Sequence, residues 1–520
     1  MKISFFVYNL LFTLLSVGLY NFYFLSELFK AVSIFVFIPV LLIVYALFLC
    51  LHAMIFWPKT VKIISTILIL LNGICAYFIS AYHVVFNKAM LRNILDTNFT
   101  EASEWLGISF WLYVLFVCLL PIFLLWRCRI VFAPFRQGLK HWLCLLLATL
   151  VLGASLALPN RMPIKIFLKE NFNLRYMILP TSCISSAIGL VRLRFKNVDL
   201  IDTTAGMTQA PYWNPSKKML IVFVLGESAR YQSYPLTENA RTTGALKPYL
   251  PEMTIFRETQ ACGVATNISV PCLFSGYRQS QFSQEAAFNT PNILDILNSN
   301  HWNMLWLDNE MGCNRACRGI PTEMTCHARD CTDDVLNARL KEVLPTLAWD
   351  SFIVLHQRGS HGPRYDLRVP KKYHVFKPFC KRADFQNCSQ EELNNAYDNT
   401  LLYTSELLAD LMKTLNAYTN EFYPVLIFVS DHGESLGEGG FYAHATDYRI
   451  APQEQKQVPF FIYIPDQTRQ ELHLNEACLT DKTSTPQSHD VIFHTIMGLS
   501  GIRTNIYDSA LDMFSGCIGQ

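Results

Sequence analysis

The chain has 520 residues, a net charge of +2 and a composition that is 51% hydrophobic and only 16% charged. That length exceeds one ordinary domain, and so apolar a composition excludes a purely soluble chain; the near-neutral charge argues against a nucleic-acid partner. No internal repeat or low-complexity tract runs through it.

The apolar excess lies at the front. Five apolar runs, near 3–26, 31–57, 61–83, 108–126 and 141–159, each approach the roughly 20 residues that cross a bilayer as helix. The first is long, lacks a small-residue cleavage site and is followed by further runs, so it reads as a retained anchor and not a signal peptide. Orientation follows from short loops, where Lys and Arg stay on the cytoplasmic side. With the N-terminus inside, the inner flanks hold Lys2, Lys59, Lys62, Arg127, Arg129, Arg136 and Lys140, against Lys30, Lys88 and Arg92 outside. An odd number of spans then places the remainder of the chain across the membrane.

Residues 161–215 mix apolar residues with Lys165, Lys169, Arg175, Arg192, Arg194 and Lys196. A basic, amphipathic stretch directly after a span suits the lipid surface, where its cations meet anionic headgroups. The expected organisation is a transmembrane domain of five helices at 1–160, a membrane-surface bridging segment at 161–215 and an exported domain at 216–520.

Ten of the sixteen cysteines fall between 262 and 517, and eight form the close pairs Cys262/Cys272, Cys313/Cys317, Cys326/Cys331 and Cys380/Cys388. Exported proteins often keep disulfides and cytosolic ones seldom do. The alternative is zinc ligation, but no His-x-x-x-His or regular CxxC partner accompanies the pairs, which favours disulfides while leaving their connectivity open. Cys478 and Cys517 remain as candidates for each other. Cys50, Cys75, Cys118, Cys128 and Cys144 lie in or beside the apolar runs and read as small apolar filling.

From residue 218 onward, short apolar strands alternate with Gly-rich turns and helical periodicity. "KKMLIVFVLGESAR" reaches Glu227, "NMLWLDN" reaches Asp308, and "SFIVLHQRGSHG" runs to His356 and His361. "PVLIFVSDHGESLGEGG" reaches Asp431 and His432, and "VPFFIYIP" is a last strand. Such alternation indicates a sheet sandwiched by helices, with ligands beyond the carboxyl ends of its strands. Glu227, Asp431 and His432 occupy such ends. Two carboxylates and an imidazole suit a divalent ion such as zinc, and a catalytic zinc keeps a position open for a reacting oxygen. Thr266, in the "CGVATNISVPC" stretch, offers that oxygen: coordination favours the alkoxide of an otherwise poor nucleophile. Plainer readings stand beside this one. A strand-end Asp caps the following helix, and Glu227 forms an ion pair with Arg230.

In combination and order these motifs resemble the bacterial phosphoethanolamine transferases, membrane-anchored members of the alkaline phosphatase superfamily. The resemblance rests on "GESAR" at 226–230, "CGVATNISVPCLFSG" at 262–276, "HQRGSHGP" at 356–363, "SDHGESLGE" at 430–438 and His444 within "FYAHA". It implies a five-helix transmembrane domain followed by a periplasmic α/β/α sandwich domain of alkaline phosphatase/sulfatase type. It implies that Glu227, Thr266, Asp431 and His432 bind one catalytic zinc, with Thr266 accepting the phosphoethanolamine. His361 and His444 would contact the substrate phosphate or a second metal. "RNILDTNFTEA" resembles the family's lipid-substrate segment and nominates Asn93, Thr97 and Glu101. Where family members often carry a lysine between two cysteines, this chain has Asn314 and Arg315, so Arg315 takes the cation's place; "YLHG" is here "YAHA". The Cys262–Cys272 clamp would fix the turn presenting Thr266 at a helix start, where backbone N–H groups favour phosphate.

The implied reaction takes phosphoethanolamine from phosphatidylethanolamine, through a phosphoethanolamine-threonine intermediate, to lipid A or a core sugar of lipopolysaccharide. It reduces surface negative charge and hence the binding of cationic peptides such as polymyxin. The protein is expected in the bacterial inner membrane as a monomer, without nucleic acid. Related enzymes also modify proteins, so the motifs leave the acceptor open. Rival readings are a glycerol-phosphate transferase of the lipoteichoic acid synthase type and a non-catalytic membrane scaffold. Sulfatase activity needs a C-x-P/A-x-R nucleophile motif, absent at the corresponding place.

Overall fold

A computed structural model describes residues 2–518 apart from 98, 163, 166–171, 194–199, 210–216, 311 and 327–330. Lys169, Arg194 and Lys196 of the expected bridging segment therefore lie outside the described residues. The chain divides into two compact units, residues 1–95 with 106–192, and residues 96–105 with 193–520.

Among the described residues of the first unit, four helices are long and apolar enough to cross a membrane: Ile34–Ile55, Val61–Tyr82, Ile108–Arg127 and Arg136–Ala157. The run expected as a single first span is instead two segments, Phe5–Tyr20 and Phe22–Ala31, bent by 65°. Asn21 sits at the bend. Its side chain donates to the carbonyls of Ser16 and Leu179 and accepts the N–H of Leu179, and a polar side chain bonded into the backbone in this way interrupts a helix. The spans thus number four, or five if the bent pair crosses as one. Their outer surface is apolar, with Phe35 and Ile108 largely exposed, as lipid contact requires. Polar groups turn inward, where Thr13 Oγ1 lies 2.9 Å from His52 Nδ1.

The second unit is built on seven strands: β1 (Lys218–Gly226), β2 (Met253–Gln260), β3 (Asn303–Asp308), β4 (Thr322–Met324), β5 (Ser351–His356), β6 (Phe422–Ser430) and β7 (Gln457–Tyr463). Their spatial order is β2-β7-β6-β1-β5-β3-β4. The five from β6 to β4 are mutually parallel, whereas β7 runs antiparallel to both β6 and β2. Met219–Gly226 and the whole of β5 and β6 are buried, which explains their near-continuous apolar sequences: a parallel strand covered on both faces has no solvent side to alternate toward.

Alternate β1 residues Met219, Ile221, Phe223 and Leu225 join a core with Phe274, Trp306, Ile296 and Phe493. Phe274 comes from helix α1 (Thr266–Phe274) and Phe493 from α3 (Asp490–Ser500). The opposite face is covered by the long helix α2 (Gln390–Asn416), which packs on β6. A capping box starts α2: the Ser389 side chain accepts from the Glu392 N–H while Glu392 accepts from the Ser389 N–H.

Five disulfides tie this unit, Cys262–Cys272, Cys313–Cys317, Cys326–Cys331, Cys380–Cys388 and Cys478–Cys517.

Candidate active site

The site is a product of strand register. Gly226 of β1 lies opposite Ser430 of β6, so the residues following them, Glu227 and Asp431, emerge side by side at the carboxyl end of the sheet. β5, on the other side of β1, ends opposite Leu225 at His356 and leads into the loop carrying His361. Close approach of that loop requires Gly359. It adopts φ +48°, and a Cβ there would stand 2.7 Å from the Glu227 carbonyl oxygen. The Ser360 N–H donates to that same carbonyl at 2.9 Å.

Thr266 is the first residue of α1. Its Oγ1 lies 3.2 Å from Glu227 Oε2 and 3.2 Å from His432 Nε2. The α1 backbone is tied down on both sides. The Cys262–Cys272 bridge, with Cα atoms 6.2 Å apart, links the preceding loop to the helix, and the Ser269 hydroxyl donates to the Asp431 carbonyl. His489 accepts the Cys262 N–H at Nδ1, 3.2 Å away. Burial holds its imidazole neutral by pushing the pKa down to about 3.

The state of His432 follows from its neighbours. Nδ1 lies 2.8 Å from the Gly433 carbonyl, which can only accept, so Nδ1 carries the proton. Nε2 therefore presents a lone pair toward Thr266, 3.3 Å from Asp431 Oδ2 and 3.5 Å from Glu227 Oε1. Asp431 Oδ1 accepts the N–H groups of Ser228 (3.2 Å) and His432 (2.7 Å), while no N–H group among the described residues donates to its buried Oδ2. Desolvation, then the neighbouring Asp431 charge, pushes Glu227 up to about 7; desolvation pushes Asp431 up to about 6 and His432 down to about 4. Two desolvated carboxylates and an imidazole lone pair, converging on an undonated oxygen, are what a cation would satisfy.

The remaining histidines line the same wall. The rings of His432 and His444 are 4.4 Å apart, and those of His444 and His361 5.3 Å. His444 Nδ1 lies 2.8 Å from Glu434 Oε2, whose other oxygen accepts from the Tyr365 hydroxyl at 2.9 Å. Burial, followed by the charges of His444, Arg368 and Arg358, holds His361 well below the usual imidazole range. Ligand atoms of Glu227, Asp431 and His432 lie within 4.8 Å of one another, as do those of His432, Glu434 and His444.

The structure thus brings Glu227, Thr266, Asp431, His432, His444 and His361 into one buried cluster. Arg230 turns from Glu227 to Glu438, at 2.7 Å, so the simple ion-pair reading of Glu227 fails. No helix follows Asp431 directly, which removes the capping alternative. Arg315 lies over the Phe288 ring, 4.9 Å from its centroid. Asn93 sits in helix Lys88–Asp96 of the first unit. Thr97 and Glu101 belong to the segment 96–105 of the second, and of Glu101 only the backbone, in helix Phe99–Glu104, is described. Sequence reasoning did not single out Glu434 or His489. Glu434, two residues after His432 in "SDHGES", carried a signal in its spacing; His489 did not, since only the fold carries it to Cys262.

A family model described as phosphoethanolamine transferase EptA/EptB matches residues 42–195, and the sulfatase family model matches residues 219–502. The phosphoethanolamine transferase EptA of Salmonella typhimurium is 32% identical over 88% of this chain and 85% of its own. The chain belongs to the phosphoethanolamine transferases, within the sulfatase family. The Escherichia coli phosphatidylethanolamine transferase Mcr-1 is 28% identical, over 85% of this chain and 84% of its own. An integral membrane lipooligosaccharide phosphoethanolamine transferase A from Neisseria meningitidis superposes with a TM-score of 0.94, covering 100% of both chains at 24% identity. That likeness extends the shared fold over both units. In this family member the Thr266 hydroxyl stands within the cluster of Glu227, Asp431 and His432.

Proposed function

We propose that the protein transfers phosphoethanolamine from phosphatidylethanolamine to lipid A, or to the lipopolysaccharide core, through a covalent intermediate on Thr266. The observation that carries this reading is the Thr266 hydroxyl, 3.2 Å from both Glu227 and His432 at the start of α1, inside a buried acidic donor set. The activities for which the Salmonella and Mcr-1 relatives are named support the transferred group and the donor.

The undonated Oδ2 of Asp431 and the lone pair of His432 Nε2 suit a nitrogen- and oxygen-binding divalent ion. Glu227, Thr266, Asp431 and His432 would hold zinc, which when bound supplies a Lewis acid favouring the Thr266 alkoxide. Thr266 Oγ1 forms a bond to phosphorus while the bond from phosphorus to the diacylglycerol oxygen breaks. That oxygen leaves with the proton given up by Thr266. An acceptor oxygen then displaces Thr266, which regains a proton. The positive end of α1 faces the phosphate oxygens and stabilises their charge. His361 or His444 passes the proton between Thr266 and the departing oxygen: burial lowers the pKa of both, so each rests neutral and readily gives up a proton that it takes. His444 is oriented for this by Glu434.

The membrane unit keeps the catalytic unit where both lipids reside, with the N-terminus cytoplasmic and the catalytic unit periplasmic in a monomer. Asn93, Thr97 and Glu101 are assigned to lipid contact and Arg315 to a lesser phosphate contact. The expected phenotype is resistance to cationic peptides such as polymyxin. Expression in a bacterium lacking such activity, followed by mass spectra of its lipid A and core fractions, tests the reading. One added phosphoethanolamine on either fraction, absent with Thr266→Ala, is the expected result; no addition, or equal addition with Thr266→Ala, sinks it.

A further inference from the structure

The chemistry above leaves unused a buried charge cluster beside His361. Arg358 and Arg368 are only 8% and 3% exposed. Both converge on one carboxylate, Glu104. Arg358 Nη2 and Arg368 Nη1 each lie 3.3 Å from its Oε1, and Arg368 Nη2 donates to its Oε2. Glu104 reaches them from the segment 96–105, which belongs to the catalytic unit although 254 residues separate Glu104 from Arg358.

The arginines themselves are fixed in place. Asp333 accepts the N–H groups of Arg358 (2.8 Å) and Gly359 (2.9 Å), and Arg368 Nε donates to the His361 carbonyl at 2.7 Å. The cluster is thereby anchored to the residue that heads the series His361, His444, His432. The two guanidiniums that meet at Glu104 repel each other; the Glu310 and Asp333 carboxylates offset part of that charge on Arg358, yet burial together with the Arg368 charge still depresses it.

We propose that Arg358 and Arg368 form a subsite for a phosphomonoester on the lipid substrate, which Glu104 fills with its carboxylate until that phosphate displaces it. This inference rests on the transferase reading above. A phosphomonoester carries nearly two negative charges and three acceptor oxygens, so it matches two guanidinium forks better than one carboxylate does. The diester of phosphatidylethanolamine, neutral overall, does not. The exchange gives the enzyme a way to prefer phosphate-bearing acceptors, and it couples binding of the acceptor to release of the 96–105 segment.

The test uses the full chain in detergent, with short-chain phosphatidic acid as a monoester probe and short-chain phosphatidylethanolamine as a diester probe. Glu104→Gln removes the competing charge and is expected to tighten phosphatidic acid binding about tenfold, leave phosphatidylethanolamine binding unchanged, and lose the gain when Arg368→Gln is added. Equal phosphatidic acid affinity in Glu104→Gln and wild type, or a gain confined to phosphatidylethanolamine, overturns the subsite. Wild type gives a second readout that needs no variant to fold. Saturating phosphatidic acid should speed amide hydrogen exchange across 96–105, and unchanged or slower exchange there contradicts displacement of Glu104. Binding is read without turnover. A tenfold gain in a chain that transfers nothing to lipopolysaccharide would leave the subsite standing and remove the function, whereas transfer without the gain would remove only the subsite.

Discussion

At the scale of single residues, the site combines side chains that would each be costly alone. Glu227 and Asp431 are wholly buried and adjacent, His432 offers them a lone pair, and Thr266 completes the group. Backbone conformation adds a smaller cost nearby. Ala443 and Ala445 flank His444 at φ +60° and +65°, the left-handed region where a Cβ is unfavourable. Ala445→Gly should therefore stabilise the protein by about 0.5–1 kcal/mol, read as a rise in the thermal midpoint; a fall would mean that the alanine methyl packs more than it strains. Glu227 and Asp431 were legible because each directly follows a nearly continuous apolar strand, where the chain has no structural need for an acid, and His432 because it adjoins Asp431. The partner of Arg230 was not: "GESAR" puts it beside Glu227 in sequence, while the fold delivers Glu438 to it.

At the scale of elements, five parallel strands aim their carboxyl ends at one edge, and α1 brings Thr266 there. Strands β1, β3, β5, β6 and β7 could be read from their apolar runs. The edge strands β2 and β4 could not, since "MTIFRETQ" and "TEM" carry exposed or half-buried polar residues and little apolar signal. The bend in the first membrane run was not legible for a related reason: the interruption at Asn21 depends on Leu179, far along the chain. Helix α3 yields a pH test away from the proposed metal ligands. Burial pushes His494 down to about 4, and its Nδ1 accepts the Asp508 N–H at 3.2 Å. The folded state thus resists a proton that the unfolded chain binds. The stability tied to neutral His494 is complete above the unfolded value of about 6.5 and is lost as pH falls toward 4. By pH 5 the loss should reach roughly 2 kcal/mol, or about 3 °C in the thermal midpoint. His494→Asn, which keeps an acceptor but cannot titrate, should shrink the acid-induced drop by that amount. An identical drop in the variant would show that His494 is protonated without penalty.

At the scale of the whole molecule, an anchored membrane unit and a disulfide-tied catalytic unit share one chain, and the segment 96–105 belongs by packing to the second while sequence places it amid the first. No sequence pattern announces that exchange, because the Glu104 contacts with Arg358 and Arg368 bridge 254 and 264 residues of sequence. In the proposed zinc site the buried acid pair would make stability depend on the metal. Zinc at a hundredfold excess over its dissociation constant should stabilise the folded chain by about 2.7 kcal/mol, chelation should remove that gain, and Asp431→Asn should blunt it. A thermal midpoint indifferent to both zinc and chelator would argue against a metal at Glu227, Asp431 and His432. The most direct measurement concerns Thr266 itself: the purified full chain, loaded with zinc, is mixed with phosphatidylethanolamine without acceptor, and its intact mass and modified peptide are recorded. The expected result is a gain of one phosphoethanolamine on Thr266, discharged when lipid A is added and absent in Thr266→Ala. Transfer to lipid A by a chain that never carries the group, or that carries it on another residue, would contradict the covalent route.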